Sequence, residues 1–87
     1  MYTTRRQGEL NAVIRDTEYE IASLQRNMDL ELSVLKKRMG HANNNLAGAT
    51  WQQSIVAEMQ SVTSQYEMKI KNAQSRLQSA KDELSKL

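Results

Sequence analysis

Apolar side chains recur in alternating four- and three-residue steps along most of this chain, in two runs separated by a segment without period. The first run is Leu10, Ile14, Thr17, Ile21, Leu24, Met28, Leu32, Leu35 and Met39. The second is Trp51, Ile55, Met59, Val62, Tyr66, Ile70, Ala73, Leu77, Ala80, Leu84 and Leu87. A step near 3.5 residues keeps one stripe of each helix on a partner, so the pattern predicts two amphipathic helices that pack along a heptad seam. Two successive four-residue steps, Leu24 to Met28 to Leu32, interrupt the heptad and locally relax the left-handed supercoil. Residues 40–50 are rich in turn formers, and they read as the connection. The expected fold is all-α: a helix over about 5–39, a turn over about 40–50 and a helix over about 51–86. Each helix of ~35 residues is roughly 50 Å long at 1.5 Å per residue, and a short connection folds two equal rods antiparallel.

Local signals place the helix ends. Thr4-Arg5-Arg6-Gln7 and Thr50-Trp51-Gln52-Gln53 share the Thr-x-x-Gln form of a capping box, so Thr4 and Thr50 are the expected N-caps. Lys36, Lys37 and Arg38 complement the carbonyl end of the first helix, and Gly40 supplies a residue suited to a left-handed cap. The capping box near Met1 also argues against an arm excised from a larger protein.

Composition supports this reading and removes several others. There is no proline among the 87 residues and no cysteine, so a disulfide framework, a thiolate nucleophile and a thiolate metal site are excluded. A formal net charge of +2 is too small to imply nucleic acid or an anionic membrane. No stretch approaches the length of a membrane span, and no continuous apolar h-region follows Met1, so the expectation is a soluble, cytoplasmic protein.

A two-helix seam buries little for a chain of this size, and the first helix carries apolar residues on a second face. At 100° per residue Ala12, Tyr19, Ser23, Leu30 and Val34 cluster opposite its main stripe, whereas the second helix offers little beyond Val56 and Met68. The expectation is a homodimer that buries the first helix against its copy as a four-helix bundle. The competing reading is that these are scattered surface side chains of an ordinary kind.

The remaining candidates each have a plain alternative. Lys36, Lys37, Arg38 and His41, beside Asn43, Asn44 and Asn45, form a basic tip able to hold anions; the plain reading is dipole compensation and a solvated turn. Arg5, Arg6 and Arg15 form a second basic spot or are simply solvated. Trp51 is either an anchor for a partner or a cover for the end of the hairpin core. Ala73 and Ala80 either bring the helices close together or leave a groove for a third helix. Glu9, Asp16, Glu18, Glu20, Asp29 and Glu31 are expected to pair with Arg15, Arg26 and Lys36 at helical spacing.

Enzyme chemistry finds no support in these residues. One histidine and no Gly-x-Ser-x-Gly elbow leave no triad, no Glu-x-x-His pair supplies a carboxylate-bridged metal centre, and Gly40 and Gly48 lack the spacing of phosphate-binding loops. No cofactor is expected. A hairpin of under a hundred residues with a tryptophan near its bend resembles the WXG100 class of small secreted helical proteins. Its architecture is also similar to type III secretion needle subunits and their small helical chaperones. Trp51 precedes Gln52-Gln53, so Trp-x-Gly itself is absent, as is the proline-containing turn of needle subunits, and no functional residue carries over. The leading expectation is a non-catalytic coiled-coil interaction protein, an adaptor, assembly factor, chaperone or inhibitor, that packs on itself and on a helical partner. The alternative is a small dimeric nucleic-acid-binding protein that uses the basic tip.

Overall fold

The structure, a computed structural model, describes residues 2–40 and 46–87, with side chains described over 2–40 and 50–87. Two α-helices, α1 (Tyr2–Gly40) and α2 (Leu46–Ser85), pack against each other as an antiparallel hairpin. Three cross-helix contacts set the register: Arg6 meets Glu83, Glu20 meets Arg76, and Trp51 meets Arg38.

The helices are longer at their N-terminal ends than the capping signals imply. Helix α2 starts at Leu46, so Thr50 lies inside it and is not its N-cap. The reason is composition: Leu46, Ala47 and Ala49 favour helix, and the single Gly48 among them costs only about 1 kcal/mol. Helix α1 likewise begins at Tyr2, which places Thr4 within its first turn. Gly40 closes α1 without a left-handed backbone, since no described glycine has a positive φ. The expected connection therefore shrinks from both sides, and its remainder, 41–45 with His41, lies outside the described residues. At the far end, i→i−3 bonds from the Lys86 N–H to Glu83 and from the Leu87 N–H to Leu84 tighten the chain past α2.

Both stripes turn inward. Leu10, Thr17 and Leu35 of α1 are buried, and Ile14, Ile21, Leu24, Met28, Leu32 and Met39 are partly covered. On α2, Ile55, Ile70, Ala73 and Ala80 are buried and Met59, Val62, Tyr66, Leu77 and Leu84 partly so, while Trp51 and Leu87 at the ends are exposed. Between two rods a side chain is covered from one side only, which is why most seam residues stay half-buried. The hairpin measures 69 × 15 × 11 Å, and its radius of gyration of 19.7 Å far exceeds the value of about 12 Å for a compact chain of this length.

Candidate interaction surfaces

The outer side of α1 carries the apolar residues that the seam does not use. Tyr19, Leu30 and Val34 are 71%, 60% and 51% exposed, and Ala12 and Ser23 beside them are partly covered. Leu30 and Val34 are one turn apart, while Tyr19 lies about 16 Å toward the N-terminus, so the apolar strip is long and broken by charges. Val56 and Met68 on α2 are also exposed, but they are separated by more than three turns.

One long edge of the hairpin carries the electrostatic contacts between the helices. The Arg6 guanidinium donates through Nε and Nη2 to the two carboxylate oxygens of Glu83, with Nη2 to Oε1 at 3.0 Å, and its Nη1 reaches Glu9 at 3.0 Å. This fork holds the Glu83 carboxyl below the usual carboxylate range and raises the Arg6 pKa further. Arg76 makes a single bond across the helices, Nη2 donating to Glu20 Oε1 at 3.0 Å. Farther along, the Tyr66 hydroxyl faces the Glu31 carboxylate, which stabilises the protonated phenol and raises its pKa, while Lys69 lies over the Tyr66 ring.

The arginine–glutamate bridges lie at positions flanking the seam, and Tyr66 reaches Glu31 from the seam itself. In an antiparallel pair the residues on one edge of one helix meet those on the same edge of the other, so acids and bases far apart in sequence become neighbours. Helical spacing alone finds Arg5 with Glu9 at 3.5 Å and Arg6 with Glu9 at 3.0 Å, while Arg15 and Asp16 meet at 3.6 Å as neighbours in sequence. Among the described residues Arg26 and Lys36, expected to pair along α1, take part in none of these bridges.

Between the Arg6–Glu83 and Glu20–Arg76 bridges lies a shallow groove of about 410 Å³, floored by Leu10, Thr17 and Ala80 and edged by Val13, Ser75 and Ser79. Short side chains of α2 line it: Ala80 is buried at the floor, and Ser75 and Ser79 at the edge leave Val13 exposed, while Ala73 is fully buried in the seam outside the groove. Val13 was not marked by the sequence pattern, because it stands beside the stripe and not on it.

At the bend end, the Trp51 indole N–H donates to the Arg38 main-chain carbonyl at 3.4 Å, and the ring is about half exposed. The contact satisfies one of the free carbonyls that terminate α1. Lys36, Lys37 and Arg38 are all exposed on the last turns of α1; His41, the fourth member of the expected anion-binding tip, lies outside the described residues. A second shallow groove of about 400 Å³, lined by Met39, Val56, Met59 and Thr63, runs along the hairpin near this end.

Among the described residues no cluster of three or more His, Cys, Asp or Glu side chains is arranged to hold a metal ion. Among the described residues no helix is long and apolar enough to cross a membrane. No protein-family model, curated protein or solved structure matches this chain.

Proposed function

We propose that this hairpin is a non-catalytic interaction protein that works through helix–helix packing, with a second copy of itself and with a helical partner protein. The observation that carries the reading is the outer face of α1, where Tyr19, Leu30 and Val34 stay open to solvent after the seam is complete. A two-rod structure covers each seam residue from one side only, so a third and fourth helix against α1 would add burial that the hairpin lacks. A homodimer with α1 at the centre and α2 outside is the simplest closed arrangement, and the adaptor, assembly-factor, chaperone and inhibitor roles all use such a surface.

Sedimentation at micromolar concentration tests it, with Leu30→Glu as the diagnostic variant. The expected result is a wild-type dimer, and a Leu30→Glu chain that is monomeric yet as helical by circular dichroism as the parent. A wild-type chain that sediments as a folded monomer overturns the reading.

A further inference from the structure

The seam is not chemically uniform along its length. Its methionines, Met28, Met39 and Met59, all stand on the bend side of the hairpin's middle, and all are partly covered. The half toward the termini is closed by Leu10, Ile70, Ala73 and Ala80, has no sulfur in its seam, and holds the Arg6–Glu83 and Glu20–Arg76 bridges. Among the described residues no arginine–glutamate bridge crosses the bend half, where the Trp51 bond to the Arg38 carbonyl is long at 3.4 Å. One half is firmly tied and the other is not. Met39 and Met59, one from each helix, also line the same open groove of about 400 Å³ beside Val56 and Thr63, so both are packed on one side and reachable by small solutes on the other.

We propose that Met39 and Met59 form a paired, reversible oxidation site for hydrogen peroxide, and that their oxidation opens the bend half of the hairpin while the terminal half stays closed. In each step a thioether sulfur attacks one peroxide oxygen. The S–O bond forms as the O–O bond breaks, and the second oxygen leaves as water with both peroxide protons; the sulfur is oxidised by two electrons and the peroxide is reduced by two. With no cysteine in the chain, no thiolate competes for the oxidant or turns the sulfoxide step into a disulfide. Sulfoxidation turns a flexible apolar side chain into a polar one, and a seam position against the facing helix has no partner to offer the new oxygen. The contact is lost where the sulfur is. Neither side chain belongs to the outer face of α1, so this chemistry does not depend on what that face meets. Met68, 68% exposed and off the seam, has nothing packed on it to lose.

Two complementary variants test this, each using leucine because it conserves methionine's volume and apolarity. Met28→Leu/Met68→Leu leaves Met39 and Met59 to react, and Met39→Leu/Met59→Leu removes them; Met1 is common to both chains. Each chain is treated with dilute hydrogen peroxide, mapped by mass spectrometry of its peptides, and followed by amide hydrogen exchange. In Met28→Leu/Met68→Leu, Met39 and Met59 are expected to gain one oxygen each. Exchange at Leu35 and Ile55 then rises by about tenfold, within the range set by the cost of burying an unpartnered polar group, while Leu10 and Ala80 keep their protection. Methionine sulfoxide reductase is expected to restore the original exchange, and peroxide is expected to leave Met39→Leu/Met59→Leu unchanged. Met39 and Met59 remaining thioethers in the wild-type chain while Met68 is oxidised would overturn the site. Oxidation of both without faster exchange at Leu35 and Ile55 would overturn its structural effect, as would equal loosening of Met39→Leu/Met59→Leu. Loss of protection at Leu10 and Ala80 to the same extent would overturn its confinement to the bend half, and failure of the reductase to restore protection would overturn its reversibility.

Discussion

The indole N–H of Trp51 donates to the main-chain carbonyl of Arg38, tying the start of α2 to the end of α1 across the bend. The bond is long at 3.4 Å and half open to water. Trp51→Phe keeps the ring and removes the donor, so it is expected to lower stability by no more than about 1 kcal/mol in urea titrations, the low end for a single hydrogen bond. Trp51→Ala removes ring packing as well and is expected to cost more, with amide-exchange protection lost mainly around Arg38 and Ile55 and retained around Leu10 and Ala80.

Leu35 and Leu30 are the same residue type on opposite sides of α1, one 4% and the other 60% exposed. Leu35→Ala is expected to destabilise by about 2 to 5 kcal/mol, as for other truncations in a packed seam. Denaturation at a concentration low enough that the parent is monomeric too should show that Leu30→Glu changes the stability of the hairpin by roughly 0.5 kcal/mol or less. A large loss for the monomeric Leu30→Glu chain would mean that Leu30 packs within its own hairpin.

Glu83 gives stability a defined pH dependence. Its folded pKa is depressed by Arg6, so its contribution is present above the unfolded glutamate value of about 4.3 and is lost as pH falls through the lower folded value. Urea titrations from pH 7 to pH 3 are expected to show stability falling at the acid end, with a shallower fall in Glu83→Gln. Because Arg6 and Glu83 both face solvent, the difference between the two proteins should shrink in 1 M salt.

Gly8 sits in the second turn of α1 with open space where a Cβ would stand. Gly8→Ala is expected to raise stability by about 0.5 to 1 kcal/mol through backbone entropy alone. The readout is an increased Tm with no change in the sedimentation coefficient.

The periodic pattern made the two helices and their contact stripes legible, since burial on a rod follows sequence spacing: Leu10, Leu35, Ile55, Ile70 and Ala80 all point inward as their positions imply. The start of α2 was not legible. Thr50 has the form of a cap, yet Leu46 to Ala49 favour helix strongly enough to continue past it, and local signals do not state which of two adequate starts prevails. The bridge from Arg6 to Glu83 was hidden for a different reason: these residues are 77 apart, and their meeting depends on the register between the helices, which neither stripe encodes alone. The outward positions of Tyr19, Leu30 and Val34 follow from the wheel.

Because Arg6 and Glu83 touch, the first and last turns of the hairpin share one pole, and the bend stands at the other, roughly 58 Å away for a 39-residue helix. Anything appended to either terminus is therefore carried at that single pole, leaving the opposite one unobstructed. A short flexible bridge between the two termini would close the chain into a loop, so that it could be reopened elsewhere as a circular permutant of the same rod.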